Sequence, residues 1–438
     1  MRWFVGAITI LVISSLFGLS LLVYSMYALL AIMVASRMLT RYWAQHLSVR
    51  RTINRLEVDE GESIAVQVTV TNSGTLPIPW LLIEDVLPRR ATMHRPPALE
   101  TNGDRITLAS LAPRKSKSFY YQLRCNRRGY FPIGPAMLET GDLFGLYRLF
   151  RVLAPPDYLL VLPKVIPLDG FDIASRRPMG EIKMSHRLFE DPTRIAGVRA
   201  YQAGDPINRV NWAATARTGV LHSKVYEPSS IAGATILFDF HQESFDAKHE
   251  PIRSEMAITL AVAIAGAVQE TGQQIGLVTN ARDAAERLKR ETNQAKEVKS
   301  RADARSAAVA EQGNDHLKPQ VVSTRRGGEQ LTLIRKLLAR AERTDGLTLP
   351  ELIAESVSRI PRDATVIAIL TETTDETALA LGNLRRAGFT VTAIVNIFDE
   401  YEFAQAAGKL LSEGIRCRQL YNLENISSIC QEQAFSWF

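Results

Sequence analysis

Two groups of residues in this 438-residue chain have types and spacings that could do chemistry. The first is acidic. Asp239 closes the apolar run Ala234–Phe238 and is followed by His241, Glu243 and Ser244, while Thr371-Glu372 closes the apolar run Thr365–Leu370. In an open parallel sheet, ligands bind at the carboxyl ends of the strands, and carboxylate and hydroxyl oxygens suit a hard divalent cation. Asp239, Glu243 and Glu372 are therefore candidate metal ligands. The second group is basic and aromatic: Arg199, Tyr201, Gly204, Asp205, Arg209, Trp212 and Arg217 within nineteen residues. Gly204-Asp205-Pro206 is turn chemistry, with Asp205 able to cap a helix that starts at Pro206. Three arginines around Tyr201 and Trp212 form either a carboxylate-gripping, cation–π surface or a structural brace between two domains.

Other chemistry has no signature here. The chain contains no Walker A motif, no GxGxxG after a strand, no HExxH, no CxxC pair and no GxSxG elbow, and its seven histidines lack ligand spacing. This favours a non-enzymatic protein without a cofactor, other than a possible divalent ion. The alternative is a metal-dependent hydrolase or transferase built on the strand-end acids.

The elements that must position these residues fall into four regions. Residues 229–438 alternate apolar strands with helices, which predicts an α/β doubly wound parallel sheet. A charged insertion, 282–327, interrupts it; Arg282–Asp315 holds 15 charged residues in 34, cannot bury a face, and reads as either a solvated helix or a disordered insertion. Residues 47–165 carry short strands and frequent turn signals, such as the alternation of Ile64, Val66, Val68 and Val70, and predict an Ig-like β-sandwich. Residues 166–228 are a connector that carries the basic-aromatic group.

Residues 1–46 are predicted to form a transmembrane helical hairpin. Trp3–Ser36 is 34 residues without a charge, far longer than the ~7–15 apolar residues of a signal-peptide core. Two helices, Trp3–Gly18 and Leu21–Thr40, fit a ~30 Å hydrocarbon core better than one. Residues 1–56 hold six arginines and no acid, whereas the remainder balances 46 bases against 46 acids. The basic excess thus flanks the apolar run and does not describe a nucleic-acid-binding face. Positive flanks favour the cytoplasm, which places the chain in the cytoplasmic membrane as a multi-pass protein with its soluble domains inside, and disfavours an outward-facing receptor.

The string R-x-Y-x-x-G-D-x-x-x-R-x-x-W-x-x-x-A-R-x-G-x-L, from Arg199 to Leu221, resembles the hallmark of the bacterial family known as domain of unknown function fifty-eight. Arg127-Arg128-Gly129-Tyr130, Gly134-Pro135 and Asp142-Leu143-Phe144-Gly145-Leu146 are similar to further stretches of that family, with Leu143 where proline is usual. The resemblance implies a membrane hairpin, a β-rich segment and a von Willebrand A-like domain. Such domains hold a divalent ion with D-x-S-x-S; here His241 and Glu243 replace the two serines, which favours metal-independent binding. It also implies an adaptor that works with a MoxR-type AAA+ ATPase, and with other membrane proteins, in assembling or remodelling protein complexes.

Overall fold

The computed structural model describes residues 2–93, 96–168, 190–202, 210–228, 233–297, 317–362 and 364–429. The chain divides into two compact units. The first comprises Met1–Lys164, Asp283–Ala295 and Arg335–Ala341; the second comprises Val165–Arg282, Lys296–Ile334 and Glu342–Phe438.

The first unit begins with two apolar helices, α1 (Arg2–Leu16) and α2 (Ser20–Gln45), which pack on each other. The chain reverses at Gly18, whose φ of 66° is left-handed and suits glycine. Most large side chains of the pair are exposed, including Leu16, Leu21 and Tyr24. α2 runs to Gln45, past the expected end at Thr40, because its last turns fold into the next domain: Trp43 is buried, with Leu39 and Tyr42 packed against the same cluster as Leu47, Val70, Ile78 and Leu81.

Eleven strands follow. β1 (Leu47–Ile53), β3 (Ser63–Asn72), β7 (Ser116–Cys125) and β5 (Leu99–Gly103) form one four-stranded sheet, in that order. β10 (Arg148–Ala154), β9 (Ala136–Gly141), β4 (Ile78–Asp85) and β6 (Ile106–Leu111) form a second. β2 (Glu57–Asp59), β11 (Asp157–Leu162) and β8 (Gly129–Ile133) form a small third sheet. The period-two pattern of β3 buries Ile64, Val66, Val68 and Val70, as a sandwich requires. Arg51 is not a free flanking charge. Its buried guanidinium grips both oxygens of Asp85, at 2.9 and 2.5 Å, and reaches Asp157 at 3.1 Å; the Tyr121 hydroxyl donates to Asp85 at 2.6 Å. Four strands are thereby tied to one buried carboxylate.

In the second unit, β12 (Glu190–Ala200) pairs antiparallel with β13 (His222–Pro228), and the short helix α3 (Trp212–Thr218) lies between them in sequence. A six-stranded sheet then forms from β14 (Gly233–Phe238), β15 (Gln274–Thr279), β16 (Gln320–Arg325), β17 (Ala364–Leu370), β18 (Thr390–Val395) and β19 (Arg416–Gln419). Its order is β16-β15-β14-β17-β18-β19. One face packs under α7 (Leu349–Ser356), α8 (Asp375–Arg386) and α9 (Glu400–Ser412), through Leu352, Leu381 and Leu410. α4 (Ile252–Glu270) contacts β14 and β15 and is buried along most of its length, so it is a core helix although apolar and long enough to cross a membrane.

Two expectations change. The sheet is mixed, because β16 runs antiparallel to β15. And the stretch 282–327 is more than a charged insertion: it contributes β16 at one end and the helix α5 (Ala284–Glu297) at the other, with 298–316 outside the described residues. The helix α6 (Glu329–Arg340) follows it.

Candidate functional site

β14 and β17 are adjacent, and the chain leaves them toward opposite sides of the sheet, so their carboxyl ends mark the topological switch point. Asp239 follows β14 there and is buried. Both of its oxygens are occupied from within. Oδ1 accepts from the His241 backbone N–H at 3.1 Å and from Asn280 Nδ2 at 2.9 Å, and Oδ2 accepts from Ser244 Oγ at 2.8 Å. Asn280 also donates to the Leu347 carbonyl and accepts from the Phe240 N–H. His241 caps the short helical turn Gln242–Ser244. Asp239 is therefore the knot that fastens the ends of β14 and β15 to this turn.

Glu243, in the middle of that turn, and Glu372 are exposed. Among the described residues no group of three or more His, Cys, Asp or Glu side chains could hold a metal ion, so Asp239, Glu243 and Glu372 are not brought together as ligands. The sequence reading missed Asn280, whose signal was its place directly after a buried strand, and gave no role to Ser244, five residues after the strand-end acid. It also missed Arg253. This buried side chain donates from Nε to the Asn396 carbonyl at 3.1 Å and from Nη2 to the Thr371 carbonyl at 2.7 Å. Burial pushes its pKa down from the ordinary arginine value, against the pull of Glu250, Glu402, Asp246 and Glu372.

The basic-aromatic group is built differently. Gly204, Asp205 and Arg209 lie outside the described residues. Arg199 ends β12, and the Tyr201 N–H donates to the Leu221 carbonyl at 2.8 Å. Trp212 opens α3, whose first turn is capped by Asn211, accepting from the Ala214 N–H at 3.2 Å. The helix ends at Gly219, with a left-handed φ of 74°. Neither cap was read from the sequence. Trp212 is 66% exposed, and Val220, Leu221, Val198 and Arg217 are exposed near it in the chain. A brace buries its aromatic residue; this one faces outward.

An apolar helix pair, a β-sandwich-like domain and an α/β sheet define a multidomain protein with at least one helix able to associate with a membrane. Residues 197–302 match the family described as Protein of unknown function DUF58. The match covers β14 and most of α3's exposed surface as well as the hallmark. The chain is 23% identical over 256 residues to the Uncharacterized protein YeaD of Bacillus subtilis (strain 168), an alignment covering 58% of this chain and 61% of that one. It thus spans less than two thirds of that relative. Among solved structures, the CARDB domain of the PF1109 protein from Pyrococcus furiosus is 14% identical, with a TM-score of 0.19, covering 26% of this chain and 91% of that one. The Salmonella alpha-2-macroglobulin reacted with methylamine is 17% identical, with a TM-score of 0.18, covering 26% of this chain and 7% of that one. At such scores the sandwich assignment rests on the strands themselves.

Proposed function

We propose that this protein is a non-enzymatic adaptor, anchored in the cytoplasmic membrane by α1 and α2, with its remaining domains in the cytoplasm. Its α/β domain is of von Willebrand A-like type and is presented to a protein partner, a MoxR-type AAA+ ATPase, in the assembly or remodelling of protein complexes. The observation that carries this reading is the exposure of Trp212, at 66%, on a capped helix that also displays Arg217. A large aromatic residue flanked by cations is the composition of an interface anchor, and such anchors carry most of the binding energy. The strand order supports the domain assignment, and the inward-turned Asp239 supports binding that needs no metal ion.

The test is Trp212→Ala in cells, followed by crosslinked recovery of the protein from membranes with and without ATP. The expected result is normal abundance, with nucleotide-dependent recovery of the ATPase lost. Reduced abundance with the complex intact would return Trp212 to a structural role. Recovery of no ATPase by the unaltered protein would remove the adaptor reading itself.

A further inference from the structure

The turn between β9 and β10 has a design that its role as a connection does not require. Asp142 is buried at its base and accepts from the N–H groups of Phe144 at 3.0 Å and Tyr147 at 2.7 Å. Trp80 Nε1 donates to the Asp142 carbonyl at 3.3 Å. Gly145 supplies a left-handed φ of 71°. This firmly held turn pushes apolar side chains into the open: Leu143 is 74% exposed, Phe144 69% and Leu146 43%. Three large apolar residues on a rigid tip are costly in water and need a partner.

The strand register says where the tip points. Arg51, beyond the end of α2, donates to the Pro155 carbonyl just after β10, at 2.9 Å. Arg151, within β10, donates to the Ala44 carbonyl in the last turn of α2, at 2.5 Å. Read backward from Pro155, β10 therefore approaches the last turn of α2, and both β9 and β10 contact that helix. The step from Arg151 to Arg148 covers up to about 10 Å. That equals about seven residues of helical rise, so a hairpin end directed along α2 reaches the level of Arg37. Ser36 and Thr40 are buried at this level of α2, while Arg37 and Arg41 are exposed. This is where the charge-free run ends.

We propose that the Asp142–Tyr147 turn is a second membrane contact. It seats Leu143, Phe144 and Leu146 in the boundary between headgroups and acyl chains, while Arg37, Arg41 and Arg148 meet lipid phosphates. The inference rests on the reading of α2 as a membrane helix. Its chemistry is that of an interfacial anchor: a small apolar surface buried to shallow depth beside cations. The tip and α2 belong to one compact unit, so the two contacts would fix the sandwich's orientation on the bilayer.

The experiment uses the full chain in vesicles of phosphatidylcholine and phosphatidylglycerol. An environment-sensitive NBD label is attached at Phe144→Cys, with Leu143→Cys as a second position and Ser25→Cys in mid-α2 as the span reporter. Cys417 and Cys430 are replaced by serine; Cys125 is retained, because burial and the nearby Glu62 push its thiol up to about 11. The expected result is blue-shifted emission at the tip, quenched by lipids spin-labelled near the headgroup, with the span reporter quenched by lipids labelled deep in the chain. A quenched span reporter with a tip label that reports water overturns the tip contact alone. Failure of both labels to sense lipid overturns the membrane reading, and the tip contact with it.

Discussion

At the residue scale, Asp142 shows how one carboxylate shapes an exposed apolar turn. Burial opposes its ionisation, but the backbone N–H groups of Tyr147, Leu146 and Phe144 outweigh burial and hold its pKa below the ordinary 3.8. The sign follows from linkage. A carboxyl whose folded value is depressed adds stability in full above its unfolded value, and that stability is lost as pH falls through the folded value. Asp142→Asn keeps an oxygen acceptor but loses the charge, and should cost about 1–2 kcal/mol near neutral pH, within the range for hydrogen bonds to charged groups. Denaturant unfolding should show a smaller gap between the two proteins at about pH 3 than at about pH 7. A gap that stays constant would mean that the charge contributes nothing to the turn. Asp142 and Asp239 do parallel work. Asp239 was legible as a strand-end acid and Asp142 only as part of a family-like stretch, and neither motif reveals that both of its oxygens are committed to neighbours. For Asp142 the donors are backbone N–H groups of its own turn, and for Asp239 one is brought in from elsewhere: Asn280 lies 41 residues beyond it.

At the element scale, the buried strands of the six-stranded sheet were legible because parallel strands covered on both faces are continuous apolar runs, as in Ala234–Phe238 and Thr365–Leu370. β16 was not legible. Only two of its six residues, Gln-Val-Val-Ser-Thr-Arg, are apolar, and it lies at the end of a charged segment. What makes it a strand is its partner. Thr324 Oγ1 lies 2.7 Å from Thr235 Oγ1, above a glycine that lets the backbones approach. A Cβ at Gly276 would meet Thr324 Oγ1 at 2.3 Å and the Thr324 backbone nitrogen at 2.7 Å. Gly276→Ala should therefore push β16 outward and cost about 1–3 kcal/mol, the usual penalty for overpacking. Hydrogen exchange should accelerate at Val321 and Val322, which pair with Val278 and Leu277, while the β14–β17 ladder keeps its protection. Uniform acceleration across the sheet would show that β16 is not a separable edge.

At the scale of the whole molecule, the decisive feature is that α2 does not stop where the charge-free run stops. The sequence suggested an end at Thr40, since Arg37 and Arg41 break the apolar pattern. The helix continues to Gln45 because Trp43, 7% exposed, joins the core cluster that includes Leu47, Val70 and Leu81. The apolar helix pair and the sandwich therefore share one continuous helix, without a flexible linker between them. Truncation should reveal this. A chain that begins at Arg37 loses the charge-free run, keeps Leu39, Tyr42 and Trp43, and should unfold at nearly the same denaturant concentration as the parent in detergent. A chain that begins at Leu47 removes Trp43 from the core and should lose about 3–5 kcal/mol, the cost of deleting a buried aromatic side chain. Trp43→Ala in the full chain should reproduce most of that loss, which separates core packing from the removal of the anchor. If the Leu47 chain proved as stable as the Arg37 chain, α2 would be only a tether. The tip at Phe144 would then be free to tilt away from the bilayer, and the orientation of the whole first unit would have to be set by a partner.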